Sequence, residues 1–507
     1  MAGERTISAL LSAGDAARPA IRAVEGRAPL THGALRDLAA RTVAALNGRG
    51  IGRGDRVAIV LPNGPEMAAV FVAAACAATT APLNPAYRQE EFEFYIEDLK
   101  AKALLVAKGW DTPARAAAAK LGVAVIEVAP DAAAGAGAFT LEGGAAGAAA
   151  RPGDAAEDDV ALVLHTSGTT ARPKIVPLTH GNVTASARNI GATLALGPAD
   201  ACLNVMPLFH IHGLIAAVLA SLGAGASVVC TPGFDALRFF RWMEEERPTW
   251  FTAVPTMHQA ILARAERNRE VIERVRLRFI RSSSASLPGP VMEQMEKVFG
   301  APLVESYGMT EASHQMCSNP LAGPRKPGKV GLPAGPEVAV MGEDGAILPR
   351  GAIGEVVIRG PNVTKGYEAN PEANAKAFTD GWFRTGDQGM FDEDGFLMLT
   401  GRLKELINRG GEKVSPLEVD GVLSGHPAVA QVLCFAIPHA RLGEEVGAAV
   451  VLREGMELTE RELRDFAATH LADFKVPRRV VFVPEIPKGA TGKLMRIGLA
   501  EKLGITA

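Results

Sequence analysis

The sequence predicts an α/β protein built mainly from wound, largely parallel sheets, and its local pattern changes twice along the chain. Buried-type strands alternate with amphipathic helices through most of the chain, which is the pattern of a wound sheet covered by helices. Short strands and Gly/Pro turns then follow, and the last stretch, of about 100 residues, carries its own α/β pattern and is long enough for one small domain. We therefore predict an N-terminal domain over 1–400 that includes a β-rich subdomain at about 325–400, and a small α+β C-terminal domain over 401–507.

The N-terminal part shows this alternation element by element. Apolar residues recur at helical spacing over 31–50 and stop at a glycine, and 54–63 is predicted to hold a strand. Residues 1–60 as a whole are predicted to be an amphipathic helix pair that leads into this strand. A helix and three strands should follow, and then a flexible, Ala/Gly-rich surface connection. These elements are predicted at 65–78, near 80–83, at 99–107, at 122–129 and at 130–157, respectively.

The last part of the chain predicts a compact order of helices and strands. Residues 392–395 lack the remaining ligands of a calcium loop, so we predict a hairpin turn there. The elements after it are predicted to be a helix at 416–424, strands at 429–437 and 447–453, a helix at 459–471 and a strand at 479–484.

Composition excludes several functional classes. Lys and Arg number 53 and Asp and Glu 56, for a net charge of −3, whereas a nucleic-acid-binding protein carries a basic excess. No continuous apolar run has the length of a membrane span. The five cysteines are scattered without a C-x-x-C pair, and the N-terminus lacks the apolar core of a signal peptide. We expect a protein of the reducing cytoplasm.

A loop rich in hydroxyls and glycine follows the predicted strand that ends near residue 166. Such a loop offers many donors to an anion, and its backbone N–H groups can form a nest for phosphate oxygens. Its spacing is not that of a Walker A loop. The residue types leave both a phosphate site and an ordinary Ser/Thr loop open. The residues concerned are Thr166, Ser167, Gly168, Thr169, Thr170 and Lys174.

This loop, with the motifs that follow it in order, resembles the adenylate-forming superfamily of acyl-CoA synthetases, peptide-synthetase adenylation domains and luciferases. The similarity covers almost the whole chain. It implies that a large N-terminal domain and a small, mobile C-terminal domain close over ATP. A carboxylic acid and ATP would then give an acyl-adenylate and pyrophosphate, and a thiol, usually that of coenzyme A, would take the acyl group. The implied ligands are ATP, Mg²⁺, coenzyme A and a small carboxylic acid.

The motif at 307–311 supplies candidate ligands for the nucleotide and the metal. The ring of Tyr307 can stack on adenine, and Thr310 can bond phosphate. Glu311 can hold Mg²⁺, a hard cation that prefers carboxylate oxygen.

Three more residues, which lie later in the chain, complete the predicted nucleotide site and the hinge between the domains. Asp387 lies at a tight glycine turn, where a carboxylate can accept both ribose hydroxyls, and the resemblance implies that role. It also implies that Arg402 contacts ribose or phosphate and that Lys404 is the hinge between the two domains.

Lys493 is the predicted catalytic lysine. It lies on a glycine-flanked loop near the C-terminus, in a P-K-x-x-x-G-K match to the superfamily. A mobile loop can deliver its ammonium to the reacting carboxylate and α-phosphate, where it stabilises the negative charge of the transition state.

His210 and His212 form an H-x-H pair. On a strand they would share one face, a spacing that suits a metal, but the sequence offers no third ligand. The resemblance implies that His210 lies beside the acyl carboxylate. We interpret His212 as substrate-binding, with a structural hydrogen bond as the alternative.

The acyl pocket is predicted to be small and polar. Many fatty-acyl relatives line it with glycine and apolar side chains, whereas this sequence has a serine run and a nearby histidine. A long alkyl chain would not desolvate such groups favourably, but a second carboxylate would. Four segments are more similar to oxalate–CoA ligases than to fatty-acyl or aryl ligases, so oxalate is the predicted acid. These segments are 207–214, 252–259, 281–287 and 307–321. The residues assigned to the pocket are His212, Ser283, Ser284 and His314.

Other functions stay open at this point. A ligase of the same class can act on malonate or a short fatty acid, and a basic Arg281 deep in the pocket would favour malonate. An adenylation module that loads a carrier protein is a second alternative, which the absence of a carrier domain after Lys493 disfavours. Retention of Lys493, Glu311 and Asp387 disfavours a non-catalytic binding protein, and a luciferase-like oxygenase is a further alternative.

Overall fold

Strands and helices alternate from the N-terminus in the computed structural model, which describes residues 5–166, 173–487 and 494–505. The first elements are α1 (Ile7–Leu10), β1 (Pro19–Ala23), β2 (Leu30–Thr31), α2 (His32–Asn47), β3 (Arg56–Val60), α3 (Pro65–Ala75), β4 (Thr79–Pro82), α4 (Gln89–Asp98), β5 (Ala103–Ala107), α5 (Pro113–Leu121), β6 (Ala124–Pro130) and β7 (Phe139–Gly143).

The alternation continues through the middle of the chain. These elements are β8 (Val160–Thr166), β9 (Lys174–Thr179), α6 (His180–Thr193), β10 (Ala201–Asn204), the π-helix His212–Leu219, α7 (Ala220–Gly223), β11 (Ser227–Cys230), α8 (Phe239–Glu246), β12 (Trp250–Ala253), α9 (Pro255–Ala265), α10 (Arg269–Arg274), β13 (Phe279–Ser282), α11 (Gly289–Phe299), β14 (Leu303–Met309) and β15 (His314–Ser318).

Strands dominate the rest. The next elements are β16 (Leu332–Pro333), β17 (Glu337–Met341), β18 (Gly354–Arg359), α12 (Pro371–Ala377), β19 (Phe378–Thr379), β20 (Trp382–Phe391) and β21 (Leu397–Arg402). The last are β22 (Ile407–Arg409), β23 (Glu412–Val414), α13 (Pro416–Leu423), β24 (Val429–His439), β25 (Gly443–Leu452), α14 (Glu460–Ala468), β26 (Arg479–Phe482) and α15 (Leu499–Lys502).

Four sheets organise these strands. A nine-stranded sheet has the order β16-β15-β14-β13-β12-β10-β11-β1-β2, and a seven-stranded sheet the order β7-β6-β5-β3-β4-β8-β9. Both are parallel in their centres, with antiparallel strands at their edges. The predicted wound, largely parallel α/β class is confirmed. Two five-stranded sheets follow, β17-β18-β20-β19 with β21 on β20, and β23-β22-β25-β24 with β26 on β25.

The main core lies where buried helices meet both large sheets. Helix α3 is almost wholly apolar and buries every residue except Glu66, and every residue of the π-helix is buried. Helix α3 contacts β1 and β11 of the nine-stranded sheet and β4 of the seven-stranded sheet. One apolar cluster therefore joins the two sheets, as expected for helices that bury more than one face.

The chain from residue 407 onward has apolar clusters of its own. Two clusters hold only residues between 407 and 505. The five predicted elements from 416 to 484 are all found, each within a few residues of its expected bounds. The division into two domains at residue 401 stays a prediction, which these separate cores support.

Several predicted elements differ from the structure. The first 60 residues are not a helix pair, because Pro19–Ala23 forms a strand between the short α1 and α2. The stretch 130–157 is not wholly a flexible connection, because Phe139–Gly143 pairs with β6 and the ring of Phe139 is buried. The 392–395 hairpin turn is confirmed between β20 and β21.

All five cysteines are buried and unpaired with one another. Within the described ranges, no helix combines the length and apolar character that crossing a membrane requires.

The buried His180 at the start of α6 predicts acid sensitivity. Its Nδ1 accepts a hydrogen bond from the backbone N–H of Ile7 at 3.1 Å, so the folded state holds a neutral ring. Burial lowers the pKa of His180 to about 4. The unfolded chain takes up a proton near the ordinary pKa of 6.5 and the folded chain does not, so stability is full above pH 6.5 and falls as pH drops toward 4.

We expect His180→Asn to remove this pH dependence of stability, because asparagine does not titrate. Its amide oxygen can still accept the hydrogen bond from the N–H of Ile7. The stability advantage of the wild type should shrink by about 2 kcal/mol between pH 7 and pH 4.5. Melting curves of the two proteins at both values measure it. Parallel losses in both proteins would contradict the assignment.

Candidate active site

The predicted phosphate loop lies between two paired strands of the seven-stranded sheet. Thr166 ends β8 and pairs across the ladder with Lys174, which begins β9. Residues 167–170 lie outside the described part of the chain. The ammonium of Lys174 lies 4.3 Å from the ring centroid of Tyr367, a distance at which a cation is attracted to the face of an aromatic ring.

Glu311 lies directly after β14, in the short 3₁₀ turn Thr310–Ala312. Glu311 is 5% exposed, and its carboxylate accepts a hydrogen bond from the hydroxyl of Tyr367 at 2.9 Å. Burial raises the pKa of Glu311, while Tyr367, Arg402 and Lys174 act to lower it. A buried carboxylate is the kind of oxygen ligand that a hard divalent cation accepts.

Tyr307, Asp387 and Arg402 come together from three strands. The Tyr307 hydroxyl donates to Oδ2 of Asp387, and Nε of Arg402 lies 3.1 Å from Oδ1 of the same carboxylate. Strand pairing places Asp387 opposite Arg402. Burial and the neighbouring Asp387 raise the pKa of Tyr307 well above its usual range, so its phenol stays protonated and remains a donor.

The predicted hinge follows this cluster in the chain. Lys404 is exposed in the turn after β21, where the N–H groups of Glu405 and Leu406 donate to the carbonyl of Arg402. The predicted catalytic Lys493 lies outside the described residues.

The H-x-H pair is not on a strand. His212 begins the π-helix, and His210 lies in the turn before it, with the backbone N–H of His212 3.3 Å from Nδ1 of His210. A shared strand face was therefore the wrong geometry, because the chain turns at Pro207 after β10. Among the described residues no three His, Cys, Asp or Glu side chains converge as a metal site.

His212 is fully buried and bonded through both ring nitrogens. Its Nδ1 lies 3.0 Å from the hydroxyl of Ser284, and its Nε2 lies 2.6 Å from the hydroxyl of Thr252. Thr252 is on β12 and Ser284 follows β13. The ring is thereby held at the carboxyl ends of adjacent parallel strands, which is where open α/β sheets bind ligands.

The two predicted pocket serines have different hydrogen-bond partners. Ser283 donates its hydroxyl to the backbone carbonyl of Ser306 at 2.8 Å. Ser284 adopts a left-handed backbone with φ of +74°, a conformation that glycine adopts without cost and serine does not. Ser284 is therefore the member of the run that contacts His212.

His314 approaches His212 from the antiparallel strand β15. The two ring centroids are 5.0 Å apart, and His314 also has a positive φ, +103°. The structure thus brings His212, Ser284 and His314 together from three separate segments.

Arg281 lies beneath the two histidines. It is 0% exposed, and its guanidinium is 3.4 Å from Nε2 of His212 and 3.5 Å from Nδ1 of His314. It also lies 3.3 Å from Oε1 of Gln315. Burial lowers the pKa of Arg281 to about 9, which still leaves a cation at neutral pH.

Three contributors to this site were not predicted: Tyr367, Thr252 and Gln315. Thr252 is a polar residue inside an otherwise apolar strand, and that signal could have identified it. Tyr367 lies 56 residues from Glu311 in the chain, and no local pattern links them.

Two family models match the chain. One, described as AMP-binding enzyme, matches residues 12–368, and the other, described as AMP-binding enzyme C-terminal domain, matches residues 418–493.

Individual proteins with known sequences or structures match over most of their length. An oxalate–CoA ligase of Arabidopsis thaliana is 48% identical over 490 residues, which cover 93% of each chain. An oxalate–CoA ligase of Saccharomyces cerevisiae is 44% identical over 479 residues, covering 89% of this chain and 87% of that protein. The crystal structure of ATP-bound MatB from Rhodopseudomonas palustris has a TM-score of 0.88 at 32% identity, covering 98% of this chain and 99% of that one.

The Tyr367–Glu311 contact predicts how Glu311 titrates. Tyr367→Phe removes a donor to the charged carboxylate, an interaction worth about 1.5–3 kcal/mol, and keeps the ring beneath Lys174. The pKa of Glu311 should therefore rise further. Infrared titration of the carboxyl bands, with Glu311→Gln to assign the Glu311 signal, measures the shift.

The matched control is Tyr87→Phe, which removes a phenol hydroxyl near the start of α4 and should leave the Glu311 signal in place. An unshifted titration in Tyr367→Phe would show that the hydrogen bond does not govern Glu311.

Proposed function

Since the chain belongs to the family of AMP-binding enzymes, we propose that it is an ATP-dependent acid–CoA ligase whose acid is oxalate. In the first step a carboxylate oxygen bonds to the α-phosphorus of ATP, the bond from that phosphorus to its bridging oxygen breaks, and pyrophosphate leaves. In the second step the coenzyme A thiol loses its proton to water and its sulfur bonds to the acyl carbon, the bond from that carbon to the phosphate oxygen of AMP breaks, and AMP leaves.

The observation that carries the choice of acid is the polar cluster of His212, Ser284 and His314. Both imidazoles are buried, and their hydrogen-bonding atoms meet at the carboxyl ends of the nine-stranded sheet. An alkyl chain placed against these polar groups could not hydrogen-bond to them and would displace any water that does. A second carboxylate could hydrogen-bond to them, and the names of the two relatives support a two-carbon diacid.

The nucleotide would lie between the phosphate loop and the cluster of Tyr307, Asp387 and Arg402. The loop 166–174 would hold phosphate oxygens, and Asp387 would accept the ribose hydroxyls. Because Asp387 already holds the Tyr307 hydroxyl and Arg402, it is fixed in place before the nucleotide arrives, and the Tyr307 ring is held where adenine could stack. A site built in advance reduces the ordering cost of binding.

Magnesium would be held at Glu311, with Thr310 beside it for phosphate. Mg²⁺ usually takes one or two carboxylates together with substrate phosphates and water. A single buried carboxylate fits that pattern. When bound, the ion would neutralise charge on the phosphates, while Tyr367 orients the carboxylate.

His210 and Lys493 are proposed to act at the reacting groups. His210, at the turn before the π-helix, would position the acyl carboxylate. Lys493 would bring a positive charge to the carboxylate and α-phosphate as charge develops there.

Lys404 is proposed as the hinge of a mobile C-terminal domain that closes over the site. Its exposed turn lies between β21 and the first strand of a region with separate apolar clusters, and hinges absorb backbone changes at a few such residues.

A cytoplasmic location is also proposed, which five unpaired cysteines support.

Malonate is the second candidate acid, and the buried Arg281 is the observation that favours it. The deciding experiment is a panel of acids assayed for acid-dependent AMP formation with ATP, Mg²⁺ and coenzyme A. Dependence on coenzyme A separates a ligase from a module that loads a carrier protein.

We expect wild-type kcat/KM to rank oxalate above malonate, acetate and octanoate. Acetate fits but offers no second carboxylate to the polar cluster, and a site built to hydrogen-bond a substrate group can reject an analogue that lacks it by a factor on the order of 10⁴. His314→Val should weaken oxalate use by about 1–3 kcal/mol in transition-state binding, with little effect on ATP. Preference for octanoate, or unchanged oxalate use by the variant, would refute the polar-pocket proposal.

A second expectation concerns Lys493. Lys493→Ala should slow oxalate-dependent pyrophosphate release by about 10²–10³, the scale of one lost donor to transition-state charge. Synthetic oxalyl-adenylate should still be converted with coenzyme A at nearly the wild-type rate. Equal losses in the two half-reactions would exclude a role confined to adenylation.

A further inference from the structure

The guanidinium of Arg281 is buried without an acidic partner. Among the described residues no carboxylate lies within 4.0 Å of it, whereas the largely buried Arg496 is paired with Asp420 at 2.5 Å. A buried charge is costly unless it is paired and hydrogen-bonded. Arg281 thus carries an uncompensated positive charge in the interior.

Its existing contacts are weak. Four neighbours lie at 3.3–3.5 Å, long for charge-assisted hydrogen bonds, and its Nε has no hydrogen-bond partner. All four are neutral or titratable side chains: His212, Thr252, His314 and Gln315. The environment therefore solvates the guanidinium only partly.

The geometry also constrains the two histidines. The guanidinium contacts one nitrogen of each ring, Nε2 of His212 and Nδ1 of His314. One charged group therefore lies against both rings.

We propose that Arg281 is the specificity-determining residue for a dicarboxylate substrate: from behind His212 and His314 it supplies the positive charge that compensates the second carboxylate, and its guanidinium contacts fix the positions of both rings. This rests on the proposed function. Arg281 is fully buried behind the rings, so it acts through them as a positioning residue. The low-dielectric interior strengthens its attraction for an anion on their far side.

A monocarboxylic acid would leave that charge uncompensated. The selectivity against acetate would therefore come mainly from Arg281, with the histidines supplying the directional hydrogen bonds. Removing the charge should lower the use of diacids and leave monoacids nearly untouched.

The experiment compares Arg281→Met, Arg281→Lys and the wild type, all as full-length protein. Acid-dependent AMP formation is measured with oxalate, malonate and acetate in the presence of ATP, Mg²⁺ and coenzyme A. Arg276→Met is the matched control, because Arg276 is exposed on the segment before β13 and should behave as the wild type.

We expect kcat/KM for oxalate to fall by on the order of 10²–10³ in Arg281→Met, mainly through KM, with acetate little changed. Arg281→Lys keeps the charge but cannot bridge two rings, so it should recover part of the oxalate activity. A merely structural role would lower oxalate and acetate use together.

The outcomes separate the two proposals. A wild type that forms no AMP with oxalate overturns the proposed function. A wild type that uses oxalate, with an unchanged oxalate-to-acetate ratio in Arg281→Met, overturns the role of Arg281 alone. If Arg281→Met does not fold in a melting assay, Arg281→Gln, which removes the charge but keeps polar donors, decides: an oxalate-to-acetate ratio equal to that of the wild type counts against the proposal, and a lowered ratio supports it.

Discussion

The site depends on one core shared by the two large sheets. Because α3 contacts strands of both sheets, their carboxyl ends cannot move independently. Lys174 begins β9 of the seven-stranded sheet, and its ammonium lies over the ring of Tyr367. The hydroxyl of Tyr367 in turn donates to Glu311, which follows β14 of the nine-stranded sheet. Close-packed interiors transmit such constraints because they have few voids to absorb a shift.

The second constraint is that two carboxylates of the predicted site, those of Asp387 and Glu311, are each oriented by side chains from other segments. Asp387 on β20 is held by Tyr307 from β14 and by Arg402 from β21. Glu311 is held by Tyr367. Such groups lose little further freedom when a ligand binds, which is how a folded scaffold prepares a site for charge that develops later.

The sequence predicted most of the regular elements and the motifs, because both are written in local patterns. Helix α2 has its period and terminal glycine, and β3 its apolar run between turns. It did not predict β7, whose single buried Phe139 carries little signal in an Ala/Gly-rich stretch. It also gave His210 and His212 a strand geometry, since periodicity cannot reveal a turn that leads into a π-helix. Contacts such as Tyr367 to Glu311 join distant segments and follow only from the folded chain.

Several residues of the predicted acyl pocket have conformations or environments that lower the stability of the folded chain. Two residues near it, Ser284 and His314, have positive φ angles that cost free energy in non-glycine residues, and Arg281 is desolvated with only weak partners. Apolar residues and glycine at these positions would fold more favourably. Because each unfavourable feature brings a donor or a charge toward the same point, we interpret the cost as one that an anionic substrate offsets when it binds.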